Sequence, residues 1–310
     1  MKKIFIRVVL ICVCIIFLKN QYASLLLQKA TYGIPALIKK GAIEDLYIGS
    51  SMFRQGLDID TMEQIQEDSY ILAYNGNQPV LEYEQLEYLV RSGVSIKNLY
   101  VDMYTYSAWS EPKIQDEKIF LEIGIKEKLK IWKLISSQEN MQLLDFWRVF
   151  ISSNNELLLT WPINYYLINS QFYKGGTKVK PQGVEEEGLI KLEVPQIDGT
   201  MNDIQKEYLD EIIYLCQEEG INLYFIETPK YKKVAEDKMY LEAMNQYSNL
   251  LAEKNVSVLV CQSTYENIDK TEKMEYYKFD NNNAMFYTDL IHLSYEGRIV
   301  FTEKLSQFFV

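Results

Sequence analysis

Short apolar runs punctuate this chain, and between them lie longer stretches whose apolar residues recur three and four positions apart. Runs of strand length lie at the start of residues 45–56 and at 69–74, 99–104, 222–227 and 256–260. After the second run, Pro79 opens a stretch in which Val80, Leu81, Tyr83, Leu86, Leu89 and Val90 keep helical spacing as far as Ser92-Gly93. Proline at the first helical position and glycine just past the last are the usual punctuation of a helix. Helical patterns also cover residues 202–219 and 231–254. Strands apolar on both sides, alternating with helices, predict an α/β fold: a doubly wound parallel sheet, three layers deep, with helices on both faces.

Three regions depart from that rhythm. Lys2, Lys3 and Arg7 precede the apolar run 8–18. A basic start followed by a short apolar core reads as an uncleaved signal anchor, occupying residues 1–28 and entering the membrane through residues 4–18. Its basic end would lie in the cytoplasm, with the single domain of residues 29–310 outside. A cleaved signal peptide is the alternative. Residues 112–136 form an amphipathic pattern, and residues 141–167 are crowded with aromatic side chains. Together with 170–200, they predict a helical insertion over about 112–200, packed on its own side of the sheet. The alternative is a surface that leans on the membrane or on a membrane partner. The stretch 170–200, with Gly175-Gly176, Gly183 and Glu185-Glu186-Glu187, predicts an exposed and poorly packed excursion.

Composition narrows the function. With 310 residues, 48% of them hydrophobic, the chain can bury a sizeable core. A net charge of −11 argues against nucleic acid, whose phosphates require a basic face. Tyrosine, at 24 residues, suits strands and carbohydrate-facing clefts alike. Of four cysteines, Cys12 and Cys14 lie in the N-terminal run. Cys216 and Cys261 read as buried free thiols, with a disulfide as the alternative. No Cys-x-x-Cys pair or Cys/His cluster occurs, so no metal site is expected.

The candidate chemistry sits near the end of the chain. His292 is the one histidine, and Asp289 stands three residues before it. Histidine is the usual general base for activating a hydroxyl, and a carboxylate at that spacing can orient its ring. Gly49-Ser50-Ser51 ends the first predicted strand, which puts Ser51 at the mouth of a sheet, where α/β proteins take their ligands. Asn75-Gly76-Asn77 ends the second strand. The third runs into Asp102-Met103-Tyr104 and the fourth into Glu227-Thr228-Pro229-Lys230, so Asn75, Asp102, Tyr104 and Lys230 are candidates for a substrate cleft. A helix-start or ion-pair role is the alternative for Asp102 and Lys230.

An early Gly-Ser-Ser, an Asn-Gly-Asn loop and a late Asp-x-x-His, taken in that order, resemble the SGNH/GDSL hydrolase family over most of residues 44–310. Serine after Gly-Ser rather than Gly-Asp, together with the N-terminal anchor, is similar to its membrane-anchored branch. That branch includes the D-alanyl-teichoic-acid transfer protein and the accessory O-acetyltransferases of polysaccharides. The resemblance implies Ser51 as nucleophile, His292 as base and Asp289 as its orienter. It implies an oxyanion hole from the backbone N–H groups of Ser51 and Gly76 with the side-chain amide of Asn77, or of Asn75 in its place. No cofactor is implied. The implied activity is that of an extracytoplasmic serine esterase or acyltransferase on O-acyl groups, acetyl foremost, of a cell-surface polysaccharide. D-alanyl transfer to teichoic acid and a non-catalytic glycan-binding or scaffold relative are the alternatives. The implied partner is a membrane-bound O-acyltransferase.

Overall fold

The computed structural model describes residues 2–27, 33–113, 122–136 and 175–308. Its centre is one sheet of six strands: β1 Ala42–Gly49, β2 Ser69–Ala73, β3 Ser95–Asp102, β4 Asn222–Ile226, β5 Ser257–Cys261 and β6 Met274–Tyr277. They lie in the order β2-β1-β3-β4-β5-β6, and every pairing is parallel. β2 is buried along its whole length, as continuous apolar strands under helices must be. Tyr47, Tyr100 and Tyr224 are register partners on β1, β3 and β4. Their rings stack in series at 4.5 and 5.2 Å, so part of the tyrosine content is a cross-strand ladder.

β2 lies to one side of β1 and β3 to the other. Parallel connections are right-handed, so reversing direction at β1 sends successive helices to opposite faces. The packing agrees: the helix Pro79–Arg91 lies on Asp203–Glu219, whereas Tyr295–Leu305 lies on Ser51–Gly56 and Ile59–Ile65. The reversal leaves a crevice at the carboxyl ends of β1 and β3, the place where such sheets bind ligands.

Several expectations change in detail. β6 was not among the predicted strands: it is short and at the sheet edge, and Glu275 and Tyr276 on it are exposed, so its pattern is too polar to stand out. The predicted helix 231–254 is two, Lys232–Ala235 and Lys238–Glu253, because the Asp237 side chain accepts from the Tyr240 N–H and starts a new helix. Of the amphipathic stretch 112–136, the helix Ile125–Ser136 is described. The aromatic stretch 141–167 lies outside the described residues. Cys216 and Cys261 are buried free thiols, and burial pushes them up to about 12 and about 11.

Lys2–Leu27 is a single helix on which Phe5, Leu10, Ile11, Ile15 and Phe17 are exposed. Among the described residues no helix is long and apolar enough to cross a membrane, so the spanning helix expected at residues 4–18 is not found. The uninterrupted apolar run after Arg7 falls short of the ~20 residues a span requires.

The region 175–200 is largely exposed, as expected, but it is fastened at several points. Val184 N–H donates to the Tyr287 carbonyl at 3.0 Å, and Tyr295 N–H donates to Pro181 at 2.8 Å. A Cβ at Gly183 would collide with the Met285 carbonyl, so only glycine permits this approach of backbone to backbone. Arg298, buried on the last helix, donates to the Thr177 carbonyl at 3.3 Å and to that of Val179. The segment is thereby tied to the loop that carries Asp289 and His292.

Candidate active site

Ser51 stands where β1 gives way to the helix Ser51–Gly56. Ser50 caps that helix, its hydroxyl accepting the Met52 N–H at 3.2 Å. As the first helical residue, Ser51 has a backbone N–H with no partner inside the helix. Beneath the turn, Asp102 at the end of β3 accepts the Ser50 N–H with Oδ2 and the Tyr104 N–H with Oδ1, the latter at 3.1 Å. A Cβ at Gly49 would strike the Asp102 carboxylate, so glycine is needed for this approach.

The tail of the chain brings the other half. Thr288 N–H donates to the His292 carbonyl at 2.9 Å, and Tyr287 bridges Leu293, closing residues 288–292 into a tight loop. Within it Asp289 Oδ1 accepts the N–H groups of Ile291 and His292, both at 2.8 Å. Asp289 Oδ2 lies 2.7 Å from His292 Nδ1, and His292 Nε2 lies 2.8 Å from Ser51 Oγ. An ionised carboxylate only accepts, so Nδ1 carries the proton and Nε2 is left to accept from the serine hydroxyl. Burial alone would raise the Asp289 carboxyl. The bonds and charge of His292 and the two backbone N–H groups outweigh burial and hold it below the usual aspartate value. Serine, imidazole and carboxylate are joined by hydrogen bonds across 241 positions of sequence.

No protein-family model matches the chain, and no curated protein is significantly similar to it. The chemistry stands on the site's own geometry.

Ser51 and His292 open onto a cleft of about 340 Å³, whose wall also includes Asn75, Gly76, Tyr104 and Tyr106. Three predicted residues lie elsewhere. Asn77 is buried below the cleft, donating its amide to the Gly49 carbonyl at 3.2 Å and to Gln85 at 3.4 Å. Its amide supports the nucleophile turn from behind, and of the two asparagines Asn75 is the one in the cleft. Asp102 is likewise internal. Lys230 is fully buried, its ammonium donating to the carbonyl and hydroxyl of Thr228, each at 2.7 Å. Burial lowers Lys230 to about 8, against the opposing pull of Glu227 and Asp102. Neighbouring Glu227 is committed to Tyr240, Thr264 and the Cys261 N–H. Strand ends at a sheet mouth face either the cleft or the core beneath it, and the sequence does not separate the two.

Gln55, Gln78, Tyr106, Ser110 and Lys113 also line the cleft, and none of them was foreseen. Gln55 follows Ser51 by one helical turn and shares its face, a spacing readable in advance. Gln78 is held by Lys113 and Gln205, which only the fold brings together. Among the described residues, the one acidic group with ligand-like spacing is Glu84, Glu87 and Glu127, outside this cleft. Lys130 and Arg91 already pair with it, so it behaves as an internal ion cluster.

Proposed function

We propose that this chain is an SGNH-type serine esterase or acyltransferase, working outside the cytoplasm on O-acyl groups, acetyl foremost, of a cell-surface polysaccharide. The observation that carries the reading is the unbroken relay Ser51–His292–Asp289, with contacts of 2.8 and 2.7 Å. His292 takes the proton as Ser51 Oγ attacks the ester carbonyl, and Asp289 steadies the resulting imidazolium. The oxyanion falls to the N–H groups of Ser51 and Gly76, with the Asn75 amide as the side-chain candidate on the same wall; one such donor is worth about 3 kcal/mol. The departing alcohol collects the proton from His292. Water or a sugar hydroxyl, deprotonated by the same imidazole, then releases the acyl group from Ser51.

The exposed apolar side chains on the helix Lys2–Leu27 support attachment to a membrane, and a membrane-bound O-acyltransferase is the partner that would supply acyl groups there. The test is genetic and chemical together. A deletion strain carrying Ser51→Ala should show the same change in polysaccharide O-acetate as the deletion alone, whereas the wild-type gene restores it. An altered teichoic-acid D-alanine content instead would identify the acyl group as D-alanyl. Full rescue by Ser51→Ala would leave a binding or scaffold protein.

A further inference from the structure

We propose that Asp102 is a positioning residue of the acyl-transfer site, one that must be an anion for the nucleophile turn and the cleft wall to keep their relative places. The inference rests on the serine chemistry proposed at Ser51. Both oxygens of its carboxylate are spent on backbone N–H groups of two different walls: Oδ2 on Ser50, beside the nucleophile, and Oδ1 on Tyr104, which lines the cleft. The residue is 4% exposed, so water cannot take over either bond. Gly49 presents no side chain on the side where the carboxylate arrives. Fixing the Ser50 N–H in this way fixes the peptide plane between Gly49 and Ser50, the start of the turn on which Ser51 is carried.

The demand for a charge follows from donor counting. A carboxylate offers acceptors at both oxygens, whereas a carboxylic acid or an amide presents a donor at one of them. Set against two N–H groups, either neutral form leaves one facing a donor. The titratable and charged groups around Asp102 are Tyr104 beside it, Glu82 on Pro79–Arg91, Tyr247 on Lys238–Glu253 and Lys230 after β4. Of these only Lys230 favours the anion, together with the N–H bonds and the Ser50 hydroxyl, and burial still pushes the Asp102 carboxyl up to about 6. Asp102 must therefore be ionised for full activity, in addition to the neutral imidazole that general-base catalysis itself requires.

The test is the pH dependence of kcat/KM for p-nitrophenyl acetate, measured on the full chain in detergent, for wild type and Asp102→Asn. In wild type the acid limb should approach a slope of two. In Asp102→Asn, kcat at about pH 8 should fall on the order of 100-fold with KM changed less than about threefold, and the acid limb should have a slope of one. A wild-type acid limb of slope one overturns the proposal without any variant. So does an Asp102→Asn enzyme with wild-type kcat and slope. If Ser51→Ala hydrolyses the ester as wild type does, the serine reading itself fails, and that outcome is distinct from the other two.

Discussion

Asp289 grips His292 at two points, through the ring Nδ1 at 2.7 Å and through the backbone N–H at 2.8 Å. The imidazole is thus fixed both in tautomer and in place, within a loop of five residues closed by Thr288. In Asp289→Asn an amide cannot accept at both atoms, and one orientation presents its NH₂ to Nδ1 and favours the wrong tautomer. We expect kcat to fall by about 10²–10⁴-fold with KM little altered, read from steady-state hydrolysis of p-nitrophenyl acetate.

The two asparagines of the Asn75-Gly76-Asn77 loop should separate cleanly. Asn77 is buried with its amide on the Gly49 carbonyl, so Asn77→Ala should cost about 1–3 kcal/mol of stability, measured by urea unfolding. Asn75 is exposed on the cleft wall, so Asn75→Ala should leave the melting curve in place and lower kcat by up to about 10²-fold.

Gly183 meets the Met285 carbonyl, which also accepts the Ser294 hydroxyl at 2.7 Å. Gly183→Ala must push these backbones apart and should destabilise by roughly 1–3 kcal/mol. Because the displaced backbone leads into the Asp289–His292 loop, thermal stability and kcat should fall together.

Glu84 supplies a pH prediction away from the site. Burial raises its carboxyl to about 7, Glu87 and Glu127 add to the rise, and Lys130 at 3.7 Å offsets only part of it. A carboxyl whose folded pKa is raised binds protons more tightly when folded, so stability is lost as pH climbs from about 4.5 through 7. Glu84→Gln removes that loss. Its melting temperature should exceed that of wild type at about pH 8, by an amount corresponding to at most about 3 kcal/mol, and the gap should close near pH 4.5.

Five of the six parallel strands, β1 to β5, and the Pro79 helix were legible because short apolar runs and helical spacing are local signals. The serine–histidine–carboxylate set was legible for a different reason: a single histidine leaves few choices, and its residues mark strand and loop ends. The parts that escaped depend on contacts distant in sequence. Nothing local tells Asn77, turned inward onto Gly49, from Asn75, turned toward the cleft. Lys230 looks like a cleft cation until β4 buries it against Thr228. The exposure of the 175–200 region was legible, but its fastening was not, because glycine marks both flexible turns and tight backbone contacts, and Gly183 makes the latter.

The central claim is that Ser51 is a nucleophile activated by His292. Incubating the full chain with a fluorophosphonate probe and locating the adduct by peptide mass spectrometry tests it most directly. Modification of wild type at Ser51, with no such adduct in Ser51→Ala and a much slower reaction in His292→Ala, is the predicted result. A wild-type protein left unmodified, or one labelled as fast without His292 as with it, would contradict the claim.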